Sequence, residues 1–422
     1  MTATAGIRML QKRDNSSIRL PDMKKNYFEL DKRQLMDIAE ALRDRINTGL
    51  REDGTEILAL PTFITPRKEG VKGKALALDL GGTNYRVAVI DFNGPHPVIR
   101  PENGWKKDLS VIRTPGFTEE QLLEEMTDPI AAIRHDEPMP IGYCFSYPAA
   151  SLTDGDGELI IWTKGINIPS MIGKPVGRPL LDYLNKRIEP KFTGIKVIND
   201  TVASLFAGLT KPGYDAYIGL IVGTGTNMAS FVDAANIPKL EGKYSGMLPV
   251  NLESANFTPP HLTEFDDIVD KNSDKPGRHR FEKAISGMYL GDILKAVFPE
   301  TSFEDKFDAQ NVNSMINFPD IYKEEYVEVA RAIYGRSAKL VASSLAGLIL
   351  VLKKHDPALH RFMLTAEGGL FWSGFGGGSD YNVAVSETLD ILLREFGYGD
   401  VSVEINRMDN ANLIGTGIAA LS

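Results

Sequence analysis

The chain has 422 residues, 43% of them hydrophobic and 24% charged, which is enough for two or three packed domains and excludes a disordered chain. With 47 basic against 56 acidic residues, the formal charge of −9 excludes the basic balance that nucleic acid or an anionic membrane surface calls for, so neither is expected as a partner. A single cysteine, Cys144, rules out an internal disulfide or a cysteine-built zinc site within one chain, and residues 1–13 lack the apolar run of an export signal, so a cytoplasmic location is expected.

Leu35, Ile38, Leu42 and Ile46 recur at helical spacing behind Asp31, which predicts an amphipathic helix over 31–50 with Asp31 as its N-cap. Pro61, Pro66, Gly70 and Gly73 then mark a break. Two β-rich runs, 75–80 and 86–92, flank Gly81-Gly82-Thr83-Asn84 and predict a hairpin. Thr118 and Gln121 stand at capping-box spacing before a helix over 118–134. Strands are expected at 140–147 and 158–163, a helix near 175–189, and a short strand at 196–198 that ends on Asn199-Asp200. From 217 to 232 the hairpin pattern returns around Gly223-Thr224-Gly225-Thr226-Asn227. Gly82-Thr83-Asn84 superposes on Gly225-Thr226-Asn227 at an offset of 143 residues, the mark of an internal duplication. Helical stretches at 281–298, 321–353 and 380–396 alternate with strands at 361–366 and 401–405, and the chain closes on the glycine-rich 415–417. The apolar run 340–352 falls short of the roughly 20 residues of a membrane span and reads as a buried helix. The fold class is α/β, with two similar halves.

Turns of glycine and threonine between strands let backbone N–H groups and hydroxyls approach an anion, because no Cβ blocks the way. One such turn is compatible with a plain hairpin. Two of them in duplicated halves can face each other and hold the ends of a triphosphate, which makes Gly82, Thr83, Asn84, Gly223, Thr224 and Gly225 candidate phosphate-binding residues. Asp79, just before the first turn, offers a carboxylate for Mg²⁺ through water or serves only as a strand-end acid. Its counterpart in the second copy is Val222 at the same offset, so the metal is expected on one side only. Asp200 lies where a strand gives way to a helix, and either caps that helix or serves a ligand at the strand's end. Lys164 follows an apolar run. No Gly-Lys-Ser/Thr phosphate loop and no Ser/His/Asp elbow is present, and the six histidines show no metal-ligand spacing.

Six ordered segments then carry a resemblance: 79–87 (DLGGTNYRV), 145–148 (FSYP), 162–165 (WTKG), 199–201 (NDT), 219–227 (GLIVGTGTN) and 282–291 (EKAISGMYLG). Together they resemble the hexokinase family of the eukaryotic type, over a stretch from about Lys72 to the C-terminus. The resemblance implies a duplicated ribonuclease-H-like, actin-like ATPase fold in which a small and a large domain close on a hexose and Mg-ATP. It implies residues 1–71 as the N-terminal helical part of the large domain, 72–199 as the small domain, 200–407 as the large domain and 408–422 as a return to the small one. By the same resemblance Asp200 is the general base, with Lys164 beside it in the catalytic set. Ser146, Thr163, Lys164, Asn199, Asn227, Glu253 and Glu282 surround the sugar. Asp79, Gly82, Thr83, Asn84 and Arg86 form the first phosphate loop, Thr224 belongs to the second, and Gly368 and Gly415 flank the adenosine.

The chain departs from the family pattern at Ser254-Ala255, where Trp-Gly is usual after the glutamate, and at Ser151, where a glutamine is usual. The loop that presents Glu253 is therefore expected to be reshaped, and the C-terminal helix to be short or absent. Three other readings compete with a kinase. A sugar sensor of the same fold would not need Asp200, Lys164 and Asp79 intact, an actin-like ATPase would not need the Trp162-Thr163-Lys164 segment or the glutamates, and a zinc-containing bacterial glucokinase would need more than one cysteine.

Overall fold

A computed structural model describes residues 24–66, 70–82, 84–133, 135–304, 306–374 and 380–422. Thr83, expected in the first phosphate loop, lies outside the described residues. Thirteen strands among the described residues are β1 Leu60–Pro61, β2 Lys74–Leu80, β3 Asn84–Asp91, β4 Val98–Asp108, β5 Met139–Phe145, β6 Ala149–Ser151, β7 Gly157–Leu159, β8 Phe192–Ile198, β9 Ala216–Val222, β10 Thr226–Asp233, β11 Met247–Asn251, β12 Arg361–Glu367 and β13 Ser402–Asn406.

The duplication expected from the two glycine turns is written in the sheets. One sheet runs β4-β3-β2-β5-β8 and the other β11-β10-β9-β12-β13, with β1 added on the outer edge of β11. In each, a hairpin pairs antiparallel (β2 with β3, β9 with β10) and its first strand pairs parallel with the next strand along (β5, β12). The register corrects one detail. The Gly81 N–H donates to the Asn84 carbonyl, but the Gly223 N–H donates to that of Gly225, so the second turn is one residue shorter. Asp79 faces Arg86 across its hairpin as Ile221 faces Asn227, so the structural counterpart of Asp79 is Ile221 rather than Val222. Both are apolar, and the acid stays one-sided.

Each sheet has its own core. Leu76, Leu78, Val87, Ile141 and Phe145 pack with Leu122 and Met126 of the helix Glu119–Ala131 and Leu180 and Leu184 of the helix Gly177–Asn185. The larger core gathers Ile218, Leu220, Val250 and Leu364 with the helices Lys32–Arg51, Leu290–Val297, Glu324–His355 and Tyr381–Glu395. Between them, Val202, Leu205 and Phe206 of the helix Asp200–Gly208 and Leu413 and Ile418 of the helix Ala411–Ala420 share a third cluster with Ala77 and Cys144. The helix Glu324–His355 is long and apolar enough to cross a membrane, but 89% of its apolar window is buried inside the fold.

The expected capping box forms between Thr118 and Gln121, and the expected N-cap Asp31 forms a capping box of its own with Gln34. Several elements differ from expectation, among them the short strand at 196–198, which is the end of the seven-residue β8. The strand at 158–163 is only β7, because its partner β6 has three residues and Ile160 and Ile161 turn half-exposed. The helix at 281–298 is two helices, Arg280–Ile285 and Leu290–Val297, broken where the Gly287 N–H leaves the helical ladder and donates to the Gly223 carbonyl at 2.7 Å. The glycine-rich 415–417 lies inside the ten-residue helix Ala411–Ala420.

Candidate active site

The first glycine turn is held from three sides. The Tyr147 hydroxyl donates to the Gly81 carbonyl at 2.6 Å, and Arg113 Nη2 to the Gly82 carbonyl at 3.3 Å. Lys164 lies against Gly82, where a Cβ would stand 3.3 Å from its Cδ. Asp79, at the end of β2, is buried, and Arg86 opposite it donates from Nε to Asp79 Oδ2 at 2.8 Å, with Nη2 on the same oxygen. Asn84 is exposed at the start of β3.

The residues expected around a sugar converge below that turn. Trp162 is buried, donates its indole N–H to the Ile168 carbonyl at 2.9 Å and packs edge-on against Tyr147, which fixes the turn through Thr163, Lys164 and Gly165. Lys164 has φ +58°, a left-handed backbone that non-glycine residues adopt mainly where surroundings force it, and its Nζ donates to the Ser146 carbonyl at 2.7 Å. Asn199 caps the helix Asp200–Gly208 by accepting the Thr201 N–H at 2.8 Å, and Asp200 Oδ1 accepts the same N–H at 2.8 Å. The capping and ligand readings of this pair are thus compatible: Asn199 provides the cap, and Asp200 is the first residue of the helix.

From the other lobe, Glu253 also has a left-handed backbone, φ +54°, and begins the short turn Ser254–Asn256. A chain of hydrogen bonds fixes it: Asn227 donates to Asn251 and Asn251 to Glu253, both at 2.7 Å, while Asn227 Oδ1 accepts the Ser254 N–H at 3.2 Å. Ser254 and Ala255, the small residues that follow Glu253, are buried there. Glu282 accepts the Thr226 N–H at 3.1 Å, and the space over Gly225 is filled by that carboxylate, 2.6 Å from where a Cβ would be. Burial pushes the Glu253 and Glu282 carboxyls above their ordinary range. Asp200 and Glu282 add to the rise at Glu253, and Lys164 opposes it at both, so these four side chains share one electrostatic neighbourhood.

The second glycine turn packs on two others. The Gly287 N–H binds the Gly223 carbonyl, and Gly368, with φ +109°, sits where a Cβ would collide with the Val222 carbonyl at 2.1 Å. Thr224 is exposed at the tip. Gly415, expected beside the adenosine, is buried instead. A Cβ there would stand 1.8 Å from the Ala203 carbonyl, so close helix crossing accounts for this glycine.

Sequence reasoning gave no role to Glu367, Arg113 or the Tyr147 hydroxyl. Glu367 ends β12, accepts the Asn412 N–H at 3.0 Å and is pushed up to about 7 by burial, with Asp79 and Asp200 adding to the rise and Arg86 opposing it. Its position at a strand end, like that of Asp79, was the available signal. Among the described residues no group of three or more His, Cys, Asp or Glu side chains could hold a metal alone. Magnesium, which keeps much of its water and takes one or two carboxylates plus substrate phosphates, needs no such cage. Asp79 fits that demand, since both Arg86 bonds fall on Oδ2 and leave Oδ1 outside the pair.

Two sheets of one topology, each carrying a hairpin closed by a glycine turn, define the actin-like ATPase fold. The chain belongs to the hexokinase family: two family models described as Hexokinase match residues 22–209 and 217–327. It is 33% identical to Hexokinase-1 of Saccharomyces cerevisiae over 291 residues, 65% of this chain and 59% of that protein. It is 29% identical to Hexokinase-9 of Oryza sativa subsp. japonica, over 80% of this chain and 77% of the relative. The alignment with the yeast protein thus spans less than two thirds of that relative. Among solved structures, the hexokinase of Schistosoma mansoni complexed with glucose superposes with a TM-score of 0.78 at 22% identity, covering 95% of this chain and 98% of that one.

Proposed function

We propose that the protein is an ATP-dependent hexokinase that transfers the γ-phosphate of Mg-ATP to the 6-hydroxyl of a hexose, glucose first and mannose or fructose besides. It would work in the cytoplasm, at the entry to glycolysis. The observation that carries the reading is the convergence of Asp200, Glu253, Glu282 and Lys164 in one electrostatic neighbourhood, between lobes that each present a glycine turn.

Phosphoryl transfer needs alignment and charge neutralisation rather than covalent help from the protein. Glu253, Glu282, Asn199, Asn227, Thr163 and Ser146 offer the acceptors and donors that sugar hydroxyls require, and carboxylates fixed by backbone N–H and amide partners are ready-made acceptors. Asp200 orients the attacking hydroxyl and takes its proton. Lys164 and Thr224 bind the transferred group, while Gly82, Asn84, Gly223 and Gly225 allow the phosphates close approach. Magnesium, when bound near Asp79, neutralises phosphate charge. The small lobe, 72–199 with 408–422, and the large lobe, 200–407 with 1–71, close on the two substrates. Intact Asp200, Lys164 and Asp79 favour this over a sugar sensor.

Asp200→Ala is expected to lower kcat by about 10² to 10⁴-fold, the usual worth of a general base, while hexose affinity measured by calorimetry holds. Lost hexose binding with normal turnover would remove Asp200 from the base role.

A further inference from the structure

The cations around the cleft are unequally committed. Arg86 is spent on Asp79, and Lys164 Nζ rests on the Ser146 carbonyl. Arg113 has a carbonyl for its partner, that of Gly82 at 3.3 Å, and among the described residues it makes no ion pair with a carboxylate. Its base is held in place: it ends the short 3-10 turn Ser110–Arg113, which is anchored by buried Leu109 and Ile112, and Asp108 just before it accepts the Ser110 N–H at 2.7 Å. Its stem crosses Gly165, where a Cβ would stand 3.7 Å from both Cδ and Nε. At Gly82 a Cβ would stand 3.3 Å from Lys164 Cδ and 3.7 Å from Arg113 Nη2. The guanidinium therefore bridges the lysine turn and the first glycine turn, and Arg113 is an exposed residue.

We propose that Arg113 is a further catalytic residue, one that donates hydrogen bonds to the phosphoryl group as it passes between the first glycine turn and Lys164. The inference rests on the kinase reading. A guanidinium suits the task, since its planar fork matches phosphate oxygens and its charge is permanent. In the transfer the bond from the γ-phosphorus to the ADP oxygen breaks, the bond to the sugar oxygen forms and the hydroxyl proton goes to Asp200. Arg113 exchanges nothing and stabilises charge on the equatorial oxygens. At 82 a Cβ would crowd Lys164 Cδ at 3.3 Å, and at 165 the left-handed backbone, φ +80°, favours glycine beside the Arg113 stem.

The test compares wild type, R113K, R113M and R113A in ADP release from Mg-ATP with saturating glucose, together with glucose calorimetry, thermal melting and added guanidinium chloride at sub-denaturing concentration. The expected result is a kcat about 10²-fold lower in R113M, the usual cost of losing one such donor, with glucose affinity and melting temperature held. R113K should fall between R113M and wild type, and guanidinium should restore part of the kcat of R113A while leaving wild type unchanged. A kcat for R113M within about twofold of wild type would overturn the proposal. So would a loss of kcat that tracks a fall in melting temperature and resists guanidinium. Wild type that releases no ADP with any hexose would defeat the kinase reading itself, and the inference with it.

Discussion

Glu367 sits where three other charged groups of the cleft reach it: Arg86, Asp79 and Asp200. Burial raises its carboxyl from 4.5 to about 7, so between these values the folded chain holds a proton that the unfolded chain has released. Its contribution to stability is full below about pH 4.5 and is lost as pH rises through 7. Glu367→Gln removes the ionisation and keeps an oxygen for the Asn412 N–H. The variant should melt progressively higher than wild type as pH climbs from 4.5 to 7, with the gap level above that. A gap independent of pH would show that Glu367 does not titrate in that window. Such residues were hard to see in the sequence because their partners are remote: Glu367 meets Asn412 45 residues on, and Tyr147 meets Gly81 66 residues back. Asp200, Lys164, Glu253 and Glu282 were legible as a set only through the family resemblance, since composition and spacing left Asp200 between cap and ligand.

Among the elements, the hairpins, the capped helices and the long buried helix followed directly from alternation, capping pairs and helical spacing. The breaks did not, because tertiary contacts cause them. The Gly223 carbonyl draws Gly287 out of a helix that periodicity would have continued. Gly415 belongs to the same group, being a glycine whose reason lies in another helix. The helices Ala411–Ala420 and Asp200–Gly208 cross so closely that Gly415→Ala forces its methyl into the Ala203 carbonyl. Overpacking of this kind costs typically about 1–3 kcal/mol of unfolding free energy, so the denaturation midpoint should fall correspondingly. An unchanged midpoint would mean that the crossing relaxes freely. Because Asp200 opens one of these helices, the same variant should also lower kcat.

For the whole molecule, duplication was the most informative signal, and the strand orders repeat it in both sheets. The one-residue difference between the turns escaped the sequence because Gly-Thr-Asn matches Gly-Thr-Asn whatever the hydrogen-bond ladder does. On the proposed reading, Glu253 and Glu282 on one lobe and the lysine turn on the other would form a complete site only when closed, and water would otherwise compete for ATP. Sugar must then drive closure, and the most direct test is ADP release from Mg-ATP by purified protein, without sugar and with glucose, mannose, fructose and N-acetylglucosamine in turn. A hexose kinase releases ADP with its hexoses and little without them; equal release in every tube would contradict the account and point to an actin-like ATPase.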